Sequence, residues 1–352
     1  MALLPPGKLP PELLAGLLQR HVAPDPRVVA GPGIGLDAAV LDLGDRCLVA
    51  KTDPITYATD RIGWYAVHIN ANDVACCGAR PRWFLAAVLL PEGGTGEQLV
   101  EAIFAQISQA CRQLDVAWCG GHTEIVAGLT RPILVGQMLG EVAKDRWLTA
   151  ARAQLGDTVL LTKGIAIEGT ALLAREKQEQ LGEIISAADL RRSAALLETP
   201  GISVVRDARI ALEAGGVHAL HDPTEGGLAG GLWELAQASG LGIVVYEDSI
   251  PVLPECTVLA RHFGLDPWGL LASGALLIAA ASDRGAVIAE RLHSAGIAAA
   301  SIGRMVPPEE GCTIRSADRP SRPLPTFARD EIARLFESTA GFGAASQASA
   351  RT

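Results

Sequence analysis

Asp53, Asp73, the run Cys119-Gly-Gly-His122-Thr-Glu124 and the run Asp222-Pro-Thr-Glu-Gly-Gly-Leu228 carry residue types from which a phosphate-handling site is built. Each lies where an apolar segment ends. Carboxylates at such ends can hold Mg²⁺, and glycines beside them let a phosphate chain approach the backbone. An ordered series of this kind points to a nucleotide-dependent enzyme.

Other residues extend the set. Asp37 follows the turn cluster Gly31-Pro-Gly-Ile-Gly35, so it is a turn aspartate or a carboxylate held over glycine-rich backbone. Asp53 ends a strand just before Pro54. Asp73 continues the apolar stripe Ile62, Ala66, Ile69 of an expected helix, with Asn70 three residues before it. A carboxylate on a core-facing stripe needs a partner, because an unpaired buried charge is costly. Mg²⁺, an arginine or a helix end would each serve. Lys8, in a Pro-Gly-Lys context, reads by itself as a solvated lysine; Lys163-Gly164 reads as a phosphate contact or a turn. His122 with Glu124 could be metal ligands, a base with its orienting partner, or turn residues. His218 and His221 flank one strand and are not expected to be ligands, and the cysteines read as core residues. The chain has neither Gly-x-x-x-x-Gly-Lys-Ser/Thr nor a Gly-x-Gly-x-x-Gly opening a helix, so neither a P-loop nor a dinucleotide fold has motif support.

The elements that must position these groups follow from periodicity. A helix is expected over Pro11–Arg20, paired strands over Ala38–Leu43 and Arg46–Thr52, and a helix over Arg61–Cys77. A strand is expected over Phe84–Leu90. Val100, Ile103, Phe104, Ile107, Cys111 and Leu114 recur at helical spacing over Glu97–Leu114. Val116–Cys119 and Pro132–Leu139 read as strands around a Gly120-Gly-His-Thr123 turn. Further on, Val159–Thr162, Val217–His221, Ile243–Tyr246 and Ala275–Ala281 read as buried strands. Helices are expected from about Glu168, over Leu228–Ala238 and over Gly285–Ala295. The segment Glu176–Arg192 is charged and expected to be exposed.

Composition narrows the class. The 352 residues suggest about two domains. With aromatics at 4%, Ala, Val, Leu and Ile must fill the core. A net charge of −9 with no basic stripe argues against a nucleic-acid partner. Seven irregularly spaced cysteines without a Cys-x-x-Cys pair fit a reducing compartment. No secretory start and no uncharged apolar run of spanning length is present, so a cytoplasmic protein without a membrane partner is expected.

The order of motifs resembles the superfamily of aminoimidazole ribonucleotide (AIR) synthase, thiamine-monophosphate kinase, selenophosphate synthetase and the hydrogenase-maturation protein HypE. The carriers are Gly7-Lys8-Leu9, Gly35-Leu-Asp37-Ala-Ala-Val40, Lys51-Thr-Asp53, Asn70-Ala-Asn-Asp73, Gly78-Ala-Arg-Pro81, Gly120-Gly-His-Thr123, Gly156-Asp157 and Asp222-Pro-Thr-Glu-Gly-Gly-Leu228. They span about residues 7–315, and the last run points most closely to the HypE branch. The resemblance implies an α/β (α+β), two-domain PurM-like fold. It divides the chain into an arm at 1–30, an ATP-binding and dimerisation domain at 31–150, a C-terminal α/β domain at 151–338 and a disordered tail at 339–352. It implies a homodimer whose first halves pair into a β-barrel, with ATP in a groove at the interface and phosphoryl transfer to an oxygen of a small-molecule or protein-borne acceptor. Asp37, Asp53 and Asp73 would hold Mg²⁺. Lys8, Asn70, Gly120, Gly121 and Thr123 would lie along the nucleotide, and Asp222 with Thr224 would face the acceptor.

Two departures accompany the resemblance. HypE ends in the cysteine that carries its reacting group, whereas this chain ends Ser349-Ala-Arg-Thr352, so cyanation in cis is not expected. His122 stands where HypE and the thiamine-phosphate kinases have an Asp. One metal-binding carboxylate is thereby lost, and His122 is left as a phosphate donor or proton acceptor oriented by Glu124.

Overall fold

The computed structural model describes residues 4, 7, 9–33, 35–182 and 185–336. Lys8 and the segment 339–352, both named above, lie outside them. The first half contains α1 (Pro11–His21), β1 (Val28–Ala30), β2 (Ala39–Asp42), β3 (Arg46–Ile55), α2 (Ile62–Cys76), β4 (Arg80–Pro91), α3 (Glu97–Leu114), β5 (Ala117–Val126) and β6 (Ile133–Ala143). Its strands form one sheet in the order β1-β2-β3-β6-β4-β5, antiparallel except for the parallel β4–β5 pair.

The second half contains β7 (Thr158–Thr162), α4 (Ile167–Glu176), α5 (Gln178–Gly182), α6 (Ala187–Ala195), α7 (Val205–Ala214), β8 (Val217–His221) and α8 (Gly227–Ser239). It continues with β9 (Gly242–Tyr246), α9 (Pro254–Phe263), β10 (Leu277–Ala280), α10 (Gly285–Ser294), β11 (Ala299–Val306), β12 (Cys312–Arg315), β13 (Arg322–Pro323) and α11 (Ala333–Phe336). These strands order as β13-β12-β9-β11-β7-β10-β8. The molecule is a mixed α/β protein with one sheet in each half, and no helix among the described residues is long and apolar enough to cross a membrane.

Burial explains the apolar runs. In the second sheet Val159, Leu161, Leu277 and Ala279 pack with Leu228, Leu232 and Leu235 of α8. Their neighbours Leu160, Ile278 and Ala280 pack on the opposite face with Ala208 and Ala211 of α7 and Ile288 and Leu292 of α10. Strands covered on both faces read as continuous apolar runs instead of alternating ones. In the first half, Ile103 and Ile107 of α3 are buried against α2 at Gly63, in the same core as the sheet's Phe84, Leu134 and Met138, each worth roughly 1.5–3 kcal/mol.

Three expectations change. The Gly120-Gly-His-Thr123 segment is not a turn. It lies inside the extended strand β5, on the open edge of the sheet. The charged stretch after Glu176 forms α5 and α6, which bury Leu181 and Leu190, so it is only partly exposed. Lastly, α2 carries no one-sided stripe: all of its residues are buried, because the two halves of the protein cover it from different sides.

Candidate functional site

The site grows from the two faces of α2. On one face, Asn70 and Asp73 look toward the first sheet. Gly136 of β6 makes room for Asn70, since a Cβ there would stand 2.4 Å from Asn70 Nδ2. Asn70 Nδ2 donates to the carbonyl of Ala66 at 2.8 Å and to that of Asp53 at 3.4 Å. Lys51 and Asp53 share a face of β3, two residues apart. Lys51 Nζ lies 3.1 Å from Asp73 Oδ1 and 3.6 Å from Asp53 Oδ2. Asp73 thus has a cation partner, and it is a lysine two residues before Asp53.

The other face of α2 looks toward the second half. Cys76 Sγ donates to Asp222 Oδ1 at 3.3 Å, and the ligand atoms of Asp37, Cys76 and Asp222 lie within 4.8 Å of one another. Asp222 follows the last residue of β8, His221. His221 Nδ1 is 2.7 Å from Asp37 Oδ1, and its Nε2 is 3.0 Å from Glu234 Oε2 on α8. Gly35 seats the loop carrying Asp37 against α8: its φ is +71°, and a Cβ would stand 2.7 Å from the carbonyl of Glu234.

Electrostatics follow from this crowding. Burial is the largest influence on Asp73 and raises its pKa well above the carboxylate range; Lys51 opposes, while Asp222, Asp53 and Asp37 reinforce. Asp222 is pushed up to about 7, by burial first and then by Asp37, with His221 and Lys51 pulling down. Burial would strip His221 of its proton, but Asp37 and Glu234 outweigh it and raise its pKa well above the ordinary value, so the ring is an imidazolium donating from both nitrogens. Burial also disfavours the charge on Lys51, and Asp73, Asp53 and Asp37 overcome it. The Cys76 thiol is pushed up by burial and the surrounding acids and stays protonated.

The donor set fits a hard cation. Oδ2 of Asp37, Asp73 and Asp222 and Oδ1 of Asn70 are buried without a hydrogen-bond partner. Such orphaned acceptors are uncommon. Carboxylate oxygens such as those of Asp37 and Asp222, whose ligand atoms lie within 4.8 Å of each other, are what Mg²⁺ prefers, and a protonated thiol is not.

Of the residues singled out from sequence, Asp37, Asp53, Asp73, Asn70 and Asp222 come together. Asp222, expected on the acceptor side, stands among the other acids instead. Thr224 lies just beyond, its carbonyl accepting from the backbone N–H groups of Gly227 and Ala272. Gly120, Gly121, His122 and Thr123 do not join within one chain. Asp53, Gly136, Ala86 and Gly121 form one row across β3, β6, β4 and β5, which puts Gly121 three strand spacings, about 14 Å, from Asp53. His122 is exposed there, with Nε2 3.6 Å from Glu124 Oε2. Lys163 is no phosphate contact: its buried Nζ donates to the carbonyls of Gly201 and Ser203 and lies 3.3 Å from Asp207 Oδ1. Sequence reasoning missed Lys51, Cys76, His221 and Glu234 as parts of the site. Only Lys51 gave a local signal, its i, i+2 spacing to Asp53.

Comparison with known proteins bears on the same segments. Residues 35–142 match the AIR synthase related protein N-terminal domain, and residues 154–314 match the corresponding C-terminal domain. The carbamoyl dehydratase HypE of Bradyrhizobium diazoefficiens is 32% identical over 282 residues, covering 77% of this chain and 78% of that protein. HypE of Cupriavidus necator is 33% identical over 278 residues, 76% of each chain. A crystal structure of the hydrogenase maturation protein HypE in complex with ATP superposes with a TM-score of 0.69 at 28% identity, covering 91% of this chain and 95% of that one.

Proposed function

The chain belongs to the AIR synthase related family, and from that premise we propose that it is a HypE-like, Mg²⁺- and ATP-dependent enzyme of metallocentre maturation that transfers a phosphoryl group to an oxygen of its acceptor. The observation that carries this reading is the close approach of Asp37 and Asp222, with ligand atoms within 4.8 Å of each other and one buried, unpartnered oxygen on each, next to Asp73, which also keeps an unpartnered oxygen and pairs with Lys51. The HypE neighbour solved with ATP supports the nucleotide.

In this reading Asp37, Asp73 and Asp222, with Asp53 at the rim, hold Mg²⁺, which when bound neutralises charge on the phosphates. Lys51 holds the Asp73 carboxyl in place and favours its ionised form against burial. His221, gripped by Asp37 and Glu234, fixes the orientation of the Asp37 carboxylate. Asn70 ties α2 to β3 so that the acids keep their spacing. Phosphoryl transfer asks mainly for positioning and charge neutralisation, and this set can supply both. The acceptor is a small molecule or a protein-borne group.

The same reading makes the protein a cytoplasmic homodimer. The open edge of β5 is a row of backbone groups suited to pairing with a second copy. Pairing there would bring His122 and Glu124 of one protomer toward the other's nucleotide, a route by which residues 14 Å from Asp53 could still serve it.

Calorimetry with a non-hydrolysable ATP analogue tests the proposal. Binding should require Mg²⁺ and weaken about tenfold or more in Asp53→Asn and Asp73→Asn, a loss of about 1.4 kcal/mol or more. Unchanged affinity in both variants would refute the assignment.

A further inference from the structure

The thiol of Cys76 stands among the acids without a part in holding Mg²⁺. Cys76 is the last residue of α2 and is fully buried, in the same core as Ala75, Leu148 and Val204. Packing alone would be served by any small apolar side chain there. The sulfur instead faces carboxylates. It lies 3.3 Å from Asp222 Oδ1, and ligand atoms of Asp37, Cys76 and Asp222 all fall within 4.8 Å of one another. Cys77, the next residue, is also buried but belongs to no such group among the described residues.

Each carboxylate brings an unused oxygen. Asp37 and Asp222 are 8% and 2% exposed, and Oδ2 of each is buried without a hydrogen-bond partner. The three side chains come from separate parts of the chain: the loop before β2, the end of α2 and the residue after β8. His221 does not join them, because Asp37 and Glu234 occupy both of its ring nitrogens. The set is therefore one sulfur and two carboxylate oxygens. A tetrahedral Zn²⁺ with bonds of about 2.3 Å to sulfur and about 2.0–2.2 Å to oxygen holds such atoms about 3.5 Å apart. The Cys76–Asp222 separation of 3.3 Å is close to that edge, and the 4.8 Å limit leaves Asp37 little more than about 1 Å to close. Three protein ligands leave the fourth tetrahedral position to water.

The local field suits a cation. The C-terminal end of α2 carries partial negative charge, and its last turn holds no basic residue. Two carboxylates and a thiolate exceed the charge of a divalent ion by one, and Lys51 and His221, which both act on Asp222, offset the excess. Without a metal, burial first and then Asp222, Asp37 and Asp73 keep the thiol protonated. A metal with high affinity for sulfur displaces that proton. The S–H bond breaks, a sulfur–metal bond forms, the proton leaves to solvent and no electron changes hands. Soft thiolate ligands select Zn²⁺ over Mg²⁺. The Lys51 and Asp53 side chains, 20% and 37% exposed, give the cluster a rim open to solvent.

We propose that Cys76, Asp37 and Asp222 form a site for a thiophilic divalent cation such as Zn²⁺, and that this cation excludes Mg²⁺ because it takes two of the same carboxylates. The exclusion rests on the Mg²⁺–nucleotide reading above; the sulfur–metal bond does not. The protein therefore stops binding Mg²⁺ and nucleotide when zinc reaches the cluster, and Cys76 is the residue that makes it sensitive.

Cd²⁺, a spectroscopic stand-in for Zn²⁺, tests the site on the full chain. The parent should show a sulfur-to-cadmium charge-transfer band that saturates at one ion per chain. Cys76→Ala should lose the band or bind Cd²⁺ at least about tenfold more weakly, whereas Cys77→Ala should match the parent within about twofold. X-ray absorption of the parent with one equivalent of Zn²⁺ needs no variant; it should find a single sulfur at about 2.3 Å among oxygen ligands. A band that persists in Cys76→Ala, and so belongs to the exposed Cys119 or the half-buried Cys312, overturns the proposal. A zinc shell with no sulfur, or with more than one, does the same. Excess Mg²⁺ should raise the Cd²⁺ concentration needed for half-saturation. If it does not, while the parent still binds the ATP analogue with Mg²⁺, the two metals sit apart and the exclusion is overturned. A parent that fails to bind the analogue at all sinks the nucleotide reading instead and leaves the sulfur site standing on the cadmium band.

Discussion

Replacing Lys51 by Met should destabilise the metal-free protein strongly, and Mg²⁺ should restore much of the loss. Lys51 Nζ is 3.1 Å from Asp73 Oδ1, and the Asp73 side chain is 6% exposed. Without the ammonium group Asp73 is a buried carboxylate surrounded by Asp37, Asp53 and Asp222. It can remain ionised and unpaired, which in comparable cases costs about 3–5 kcal/mol. It can instead take up a proton. Holding a proton at pH 7 on a carboxyl whose ordinary pKa is 3.8 costs about 4 kcal/mol, which caps the damage. The expected loss is therefore about 2–4 kcal/mol. Its pH dependence has a definite sign. The folded pKa of Asp73 is already raised in the parent and rises further without Lys51, so the extra penalty is absent at low pH, grows above the parent's folded pKa by up to about 1.4 kcal/mol per unit, and levels off above the variant's. Urea denaturation in a chelator at about pH 5 and about pH 7 should show the variant nearer to the parent at the lower pH. Excess Mg²⁺ at the higher pH should recover most of the difference, because the cation replaces the lost positive charge. A variant as stable as the parent in chelator, or one indifferent to Mg²⁺, would refute this account of the acid cluster.

Two further outcomes follow from the geometry. Gly136→Ala places a methyl group 2.4 Å from Asn70 Nδ2 and 3.0 Å from Phe84 Cε2, so denaturation should report a loss of about 1–3 kcal/mol and calorimetry a weaker ATP-analogue complex. Ile125→Lys adds a charge to a 60%-exposed side chain on the open edge of β5; light scattering should show a dimer for the parent and a monomer for the variant, and a monomeric parent at micromolar concentration would remove the basis for the interface.

What sequence could and could not reveal follows from the range of the interactions. The strand β3 and the helix α3 were legible because alternation and helical spacing are local. Asp37, Asp53 and Asp73 were legible because each ends or continues an apolar pattern. His221 was not, because its partner Asp37 lies 184 residues away and nothing at either position marks the pairing. Cys76 and Asp222, 146 residues apart, are the same case. The glycines before His122 suggested a turn, whereas β4 beside them provides a parallel ladder from Trp83 to Pro91, with one register shift at Cys119, which keeps the segment extended. For α2 the expected stripe Ile62, Ala66, Ile69, Asp73 does not stand out, because every residue of the helix is buried. A helix enclosed by two halves of a protein has no polar face to frame a stripe.

The charge balance of the cluster connects the fold to the chemistry. Among the described residues, Asp37, Asp53, Asp73, Asp222 and Glu234 lie around Lys51 and His221. Asp73 and Asp222 are the buried members, and burial beside other acids makes their ionised forms costly. In the free protein burial first, and then the neighbouring acids, push Asp222 up to about 7 and Asp73 well above an ordinary carboxyl, so both favour a proton. A divalent cation would relieve the same cost while leaving the oxygens ionised, so metal and protons compete for one set of atoms. The competition depends on α2 remaining clamped from both sides, by Lys51 with Asp73 on one face and by Cys76 with Asp222 on the other. If either half moved away, these carboxylates would be rehydrated, their pKa values would fall back, and the reason to prefer a metal over water would go with them.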